Sequence, residues 1–462
     1  MSASDQLIEA LTIEQVPTSS RHGRGRHLLN IWFGVNVMPL TIIEGLLATE
    51  VFHLNLAWSI VAIVTGNALG AIIMALHSAQ GPRLGVPQLI QTRAQFGQIG
   101  SLLIVIIAIV MYLGFLASIL VLAGESINQL ASGLSINVGI VISAALTLIV
   151  LLFGYNVIHG FNRYLLPLFG LSVVLALIWM LGVHGLPSDF TSKGSVSTVG
   201  FLGTVSSVAI WQISYAPYVS DYSRYLPENT RPRNTFWWTY VGTVLSAIPM
   251  MVVGAVIGIL TSGANTLADL NGLTGSVSVF VLIMFWLGAV DACVINLYSP
   301  MLCLVTAVQT FRSRWLPGAR ARWIASSLFA AVATYVAVAF RTNFLVHYTD
   351  FITLLLFVLI PWSVVNLVDY YLIRKGEYDV RSFFTSGGGI YGNLNTAVLL
   401  VYLIGILVEV PFMVTSFYTG FLVSDVGGAN ITWLVGIVVT TPLSYFGIRW
   451  YKSRGRQLAP VT

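Results

Sequence analysis

Charge is nearly absent from the middle of this chain, and that constrains its fold more than any motif does. Asp, Glu, Lys and Arg make up 8% of its 462 residues, against about a quarter in an ordinary soluble domain. Between residues 28 and 448 the sequence divides into twelve apolar stretches: 28–51, 56–78, 100–128, 134–156, 162–184, 198–217, 236–262, 278–310, 324–340, 350–373, 394–416 and 429–448. Each is near the roughly 20 residues a helix needs to cross a hydrocarbon core about 30 Å thick. The runs are long and continuously apolar rather than short and alternating, which excludes a β-barrel. An all-α polytopic membrane protein is the expected fold class.

The basic residues give it an orientation. Nineteen of the 22 Lys and Arg fall in the two tails and the even-numbered gaps, Arg163 stands at the start of the fifth stretch beside the fourth gap, and the odd gaps hold only Lys193 and Arg341. Lys and Arg accumulate on the cytoplasmic side of a bilayer, so both ends are expected there. The domain reading is a cytoplasmic tail over 1–27, a membrane domain over 28–448 and a second cytoplasmic tail over 449–462. Residues 1–27 are polar and end in Arg21, Arg24 and Arg26. They lack a short apolar core with a small-residue cleavage site, so a cleaved signal peptide is not expected.

Several function classes fall away at this stage. The net charge of +5 comes from arginines beside the membrane, not from a nucleic-acid-binding stripe. Cys293 and Cys303 are the only cysteines. They lack CxxC or His-rich spacing, so neither a disulfide framework nor a metal site is expected. No HExxH or Ser/His/Asp cluster stands out within the spans, so the chain does not read as an enzyme and no cofactor is implied. Nothing in the chain specifies an oligomer.

Two stretches interrupt their own helices. The first carries Gly34, Asn36 and Pro39 in its middle, and the sixth carries Ser214, Tyr215, Ala216 and Pro217. Proline donates no backbone hydrogen bond and frees a carbonyl. At membrane depth such backbone is tolerated mainly where it lines a cavity. Interrupted segments at matching positions of two halves point to a transporter's substrate site, and the first and sixth match if stretches 1–5 and 6–10 are inverted repeats. An ordinary proline kink is the competing reading for either helix alone.

Four motifs then occur in order. They are GPRLGVPQLIQTRAQFG at 81–97, APYVSDYSRYLP at 216–227, NLYS at 296–299 and IPWSVVNLVDYYLIRKG at 360–376. Together they resemble the nucleobase–cation symporters, also called purine–cytosine permeases. The resemblance implies a LeuT-type core of five-plus-five inverted repeats, two further helices, and alternating access.

A nucleobase is flat, neutral and polar, so it needs an aromatic face to stack on and an amide to match its edge. By the resemblance, Asn296 is the substrate-recognising amide; interhelical hydrogen bonding is its other reading. The sixth stretch offers Trp211, Gln212, Ser214 and Tyr215, with the register open by a residue and either Trp211 or Tyr215 available to stack. In the third stretch, relatives place a tryptophan after a glycine and an amide one turn on. Here Phe115 takes the aromatic position and Ile119 the amide position, so one hydrogen-bonding arm is missing.

Carboxylates inside membrane spans are costly and usually functional. Asp291 in the eighth stretch and Glu44 just beyond Pro39 are the candidates for the coupling ion. Asp291 precedes Asn296 by five residues, so the two project roughly 140° apart on an ideal helix. Val290, Val294 and Ile295 adjoin Asp291 in sequence, whereas a hard cation wants several oxygens. A proton needs one carboxylate. Proton coupling through Asp291, with Glu44 second, is therefore expected over sodium held by Asp291 and carbonyls freed around Asn36.

Asp221, Arg224, Asp369 and Arg374 belong to the strongest motifs but lie at the cytoplasmic ends of their helices. They read, with Arg83 and Arg93, as inner-gate or loop-fixing residues. His159 and Asn162 are weaker gate candidates, and His53, His184 and His347 read as bystanders. Gly387, Gly388 and Gly389 form a loop, with no Lys-Ser/Thr after it to make a phosphate cradle. The expected function is import of a cytosine-, adenine- or hypoxanthine-like base with a proton or sodium ion, in a cell (inner) membrane. A symporter for allantoin, a hydantoin or a pyrimidine vitamin precursor is the alternative. A channel would place polar rings on an oligomer axis, which the internal helix breaks do not match.

Overall fold

The computed structural model describes residues 13–153, 155–185, 188, 190, 194–261, 265–312, 315 and 318–453. Lys193 lies outside them, and the side chains of His159 and Asn162 are likewise outside the description. The described residues are helical throughout, with β-structure confined to two isolated bridges, Leu54 with Ser195 and Val414 with Thr419.

The helices follow the twelve apolar stretches. Span 1 is broken into 1a (Arg26–Val35) and 1b (Pro39–Glu50). Span 2 is Leu56–Ser78, span 3 Ser101–Leu130, span 4 Ile136–Phe153 and span 5 Tyr155–Trp179. Span 6 is broken into 6a (Thr198–Ile213) and 6b (Val219–Ser223). Spans 7 to 10 are Pro232–Leu260, Ser278–Phe311, Ala319–Phe340 and Phe344–Leu367. Span 11 is Thr396–Glu409 and span 12 Thr432–Ser453. Span 11 ends well before the expected residue 416, because Pro411 turns the chain into a short 3-10 segment, Val410–Phe412. A helix at Thr266–Thr274, before span 8, was not anticipated from the sequence.

Proline alone does not explain the two breaks. Pro167, Pro249, Pro300, Pro361 and Pro442 all sit inside continuous helices. At Pro39 the preceding Met38 is extended, with φ −147° and ψ 159°, as the steric clash with a following proline ring dictates. Pro39 then starts 1b at a position where its missing N–H costs nothing. The two halves of span 1 diverge by 67°.

Small residues set which spans touch. A side chain on Gly45 of 1b would collide with the Met251 carbonyl of span 7, and one on Gly254 of span 7 with the Ile42 carbonyl of 1b. Gly66 and Gly70 of span 2 lie in the same way against 6a. Backbones brought this close gain dispersion contacts, the main attraction left where lipid is as apolar as the side chains. Spans 1, 2, 6 and 7 therefore form one group. Span 3 packs on spans 8, 4 and 9 as a second group, and spans 11 and 12 pack on each other and on span 10.

From Ile13 onward the segment before span 1 is packed against the bundle. Ile13 and Val16 are buried, and Arg21 donates to the carbonyls of Val16 at 2.9 Å and Pro82 at 2.6 Å. Gly85, at φ +66°, leaves the room that the Arg21 guanidinium occupies.

Candidate functional site

The two breaks face each other across a cavity in the middle of the bundle. Span 1 contributes Val35 and Met38, span 3 Phe115 and Ile119, and span 8 Ala292, Ile295 and Asn296. The span 6 break contributes Trp211, Ser214, Tyr215 and Tyr218. Five residues anticipated from the sequence, Asn296, Trp211, Ser214, Tyr215 and Phe115, thus line one space. The volume open at its centre is about 10 Å3, close to what one water needs. A flat ligand enters only if these walls part.

Four of the eleven lining residues are aromatic. Trp211 stands edge-on to Phe115 at 6.1 Å and to Tyr215 at 5.9 Å, and Phe115 meets Phe351 of span 10 at 5.2 Å. These are the edge-to-face geometries that ring quadrupoles favour. Asn296 spends its amide nitrogen on the Ala292 carbonyl of its own helix at 2.9 Å. Ile119, one turn beyond Phe115, is a hydrocarbon, so the span 3 wall offers no polar arm at this position.

Asn36 does something the sequence did not reveal. Its Oδ1 accepts from Trp211 Nε1 at 2.8 Å and from the Tyr215 hydroxyl at 3.2 Å. Its Nδ2 donates to the Trp32 carbonyl at 2.8 Å and to Thr243 Oγ1 at 3.1 Å. That uses all four hydrogen bonds an amide side chain can make. Asn36 fixes the cavity's aromatic residues to the break in span 1. Its side chain therefore has no bond left for an ion, and its backbone carbonyl accepts from Met38 N at 3.0 Å.

Gln212 points elsewhere. It is absent from the cavity lining; its Nε2 donates to Asn67 of span 2 at 2.6 Å and its Oε1 accepts from Thr243 of span 7 at 2.6 Å. Neighbouring residues on a helix point about 100° apart, which is why Trp211 faces the cavity and Gln212 the packed side. The chain Asn36–Thr243–Gln212–Asn67 is a satisfied polar network joining spans 1, 7, 6 and 2.

Glu44 is fully buried. One carboxylate oxygen accepts from Ser207 of 6a, and the other accepts from the Tyr348 hydroxyl of span 10 at 2.8 Å. Ser207 shares a helix face with Trp211 and was legible in principle; Tyr348 had no local signal. Asp291 is half-buried on span 8, one turn from Gly288, where a side chain would meet the Val37 carbonyl of the span 1 break at 2.5 Å.

The gate candidates gather at the arginine-rich end. Asp221 accepts from the Gln88 amide at 2.8 Å. Arg224 donates to the carbonyls of its own helix and of Glu14, at 3.2 and 3.3 Å. Asp369 accepts from Gln95 at 2.9 Å and Tyr378 at 2.8 Å and pairs with Arg374 at 3.0 Å. Arg93 donates to the carbonyls of Phe383 at 2.7 Å and Thr306 at 3.1 Å. Burial pushes its guanidinium down to about 10, still far above neutrality. A recess of about 410 Å3 opens here among Glu14, Gln98, Gln309 and Arg381. It lies outside the helix breaks, and Phe384 is its only aromatic wall.

Residues 15–436 match the family model described as permease for cytosine/purines, uracil, thiamine, allantoin. The chain belongs to that permease family. A Bacillus subtilis protein bearing the name purine-cytosine permease YxlA is 36% identical over 441 residues, 95% of each chain. Purine-cytosine permease FCY21 of Saccharomyces cerevisiae is 24% identical, covering 97% of this chain and 88% of its own. Among solved structures, Mhp1, a nucleobase-cation-symport-1 family transporter in a closed conformation with bromovinylhydantoin bound, superposes with a TM-score of 0.78 at 18% identity. That match covers 97% of this chain and 96% of Mhp1. The architecture is therefore the LeuT-type one, and this permease is a multi-pass membrane transporter, a nucleobase-type cation symporter and not an enzyme.

Proposed function

We propose that this permease imports a purine or pyrimidine base together with a proton by alternating access. It would sit in the cell membrane with both termini cytoplasmic, as the distribution of arginines requires. The observation that carries the reading is the cavity in which the Asn296 amide faces Trp211, Tyr215 and Phe115 between two helix breaks. An aromatic slot supplies the stacking surface, and the amide matches one base edge. The relatives' purine-cytosine names point the same way.

For the coupling ion there are two carboxylates, Glu44 on 1b and Asp291 on span 8, and a proton is the cation each can take alone. Asp291 is half-buried on span 8, one turn from the Gly288 that packs against the span 1 break, with valines and an isoleucine around it in sequence. Glu44 offers a second proton site already provided with two hydroxyl donors. Substrate entry then closes the far end, the first group of spans rocks against the second, and the site opens toward the arginine-rich end.

A second reading has a specific observation behind it. Ile119 removes one polar arm from the wall, which suits a smaller heterocycle such as a hydantoin or allantoin, and the superposed Mhp1 holds a hydantoin. Uptake of labelled cytosine, adenine, hypoxanthine, allantoin and a hydantoin, with and without sodium and at two pH values, decides between them. Saturable, acid-stimulated, sodium-independent uptake of a base supports the proposal. Sodium-driven uptake, or uptake of the hydantoin alone, overturns it.

A further inference from the structure

A second buried carboxyl lies away from the cavity, in the wedge between spans 10, 11 and 12. Glu409 ends span 11 and is 0% exposed. Among the described residues, neither of its carboxyl oxygens has a hydrogen-bond partner. The site is shaped around it. Gly436 of span 12 is the notch that receives the carboxyl: any side chain there would collide with Glu409 Oε1 and press on Ile360 of span 10. One turn further along the same face, Thr440 Oγ1 is also buried without a partner, as is Trp433 Nε1 one turn the other way. Gly405 of span 11 lets Thr440 and Pro361 of span 10 approach at that level.

An ionised carboxylate cannot be kept dry without donors, because removing its hydration is far too costly. A neutral carboxylic acid costs far less to bury without a partner than the ion does. A metal ion would need several oxygens around it, whereas Gly436 and Ile360 are what the structure places against this carboxyl. The ionisable groups of the packed elements do not substitute for a proton. Tyr402, two turns back on span 11, gives its hydroxyl to the Val358 carbonyl at 3.2 Å. Asp350 of span 10 is held by Ser416 of the loop, and Arg449 of span 12 lies at the other end of its helix beside Tyr445.

We propose that Glu409 is a proton-binding site that locks span 10 to spans 11 and 12: neutral while the wedge is closed, and ionised only when the wedge parts and admits water. Span 10 is the helix whose Tyr348 reaches Glu44 and whose Phe351 reaches Phe115 of the cavity wall. A proton at Glu409 thereby holds a wall of the transport site in place. The proposal concerns the wedge and stands whichever cation drives uptake.

The test uses the purified full-length protein in lipid nanodiscs, without substrate, as wild type and as Glu409→Gln, a neutral side chain of nearly the same shape. Infrared difference spectra between about pH 5 and pH 9, a range that brackets solution-like and buried carboxyls, follow protonated carboxyl groups. In parallel, spin labels at the exposed positions Leu354 and Val438 follow the distance between spans 10 and 12. The expected result is a protonated-carboxyl band that Glu409→Gln lacks. In wild type it should disappear as pH rises, over the same range in which the two labels move apart, while the Gln variant stays closed throughout. A band that persists at every pH, the absence of any Glu409-dependent band, or equal movement in the variant would overturn the proposal. Glu409→Leu, which removes the polar group altogether, should also stay closed, so poor folding of one variant does not hide the answer.

Discussion

Tyr348 donates its hydroxyl to Glu44 at 2.8 Å across 304 residues of sequence, tying the middle of span 1b to span 10. The other Glu44 oxygen accepts from Ser207, so three spans meet on one carboxyl. This is a junction where protonation changes what the helices share. A carboxylate accepts from both hydroxyls; a protonated acid must itself donate to one neighbour.

Glu44→Gln should therefore bind substrate but lose acid stimulation of uptake, because the amide fills the site and cannot titrate. Tyr348→Phe removes one hydrogen bond to a group that becomes charged, worth about 1.5–3 kcal/mol, and should lower uptake about ten- to a hundredfold. Initial rates across a pH series check both. If Glu44→Gln keeps the wild-type pH profile and Asp291→Asn abolishes it, the coupling proton resides on Asp291 instead.

Asn36 is expected to act on substrate affinity rather than on ion coupling. Asn36→Ala leaves the Trp211 indole and the Tyr215 hydroxyl without the acceptor they share, at about 1–3 kcal/mol for each unsatisfied buried group. The variant should unfold at lower temperature, and its substrate KM should rise about tenfold or more. The KM increase should be the same at every sodium concentration and pH tested. A KM defect relieved by extra sodium would return Asn36 to the ion site.

The missing polar arm of span 3 predicts a specificity change. Ile119→Asn restores an amide beside Phe115 and should improve binding of bases with two polar edges over those with one. One added buried hydrogen bond is worth roughly 1 kcal/mol, so a several-fold shift in competition assays is expected. Asn296→Ala should weaken all substrates by about tenfold or more, through loss of the amide that, among the described lining residues, stands alone in the wall.

How far these residues could be read from the chain depended on how local their signals are. Charge exclusion marked the spans, and Asn36 beside Pro39 marked the first break, because both causes act within a few residues. Trp211, Tyr215, Phe115 and Asn296 were reachable through motif resemblance, and the fold brings them to one cavity. Gln212 shows the limit: it adjoins Trp211 in sequence, yet a 100° step turns it toward Asn67. Asn36 was visible as a helix breaker, but its grip on Trp211 depends on packing across 175 residues. Glu409 lay inside an apolar stretch as an isolated acid. That alone was a signal, and only the notch at Gly436 showed that a site is built around it.

The arginine-rich end yields a prediction whose pH behaviour is fixed by sign. Arg93 is a base whose ordinary value is lowered by burial to about 10. The folded protein therefore bears the cost of the buried charge at every pH below about 10, and sheds it only above that value. Within about pH 5 to 9 its protonation does not change, so any effect of Arg93→Ala must be flat across that range. The effect itself should be large, because the guanidinium joins the loop after span 2 to span 8 and to Phe383. Without it the inner face loosens: the protein should melt at lower temperature, and Cys303, now buried, should react faster with a maleimide added in detergent. Asp369→Asn should act in the same direction and more strongly, because it strands the buried Arg374 charge. Breaking such a pair typically costs about 3–5 kcal/mol. Thermal melts of both variants at three pH values, with maleimide labelling of Cys303 alongside, test this. A melting deficit in Arg93→Ala that vanishes toward pH 9 would mean that another group, and not this guanidinium, holds the inner face shut.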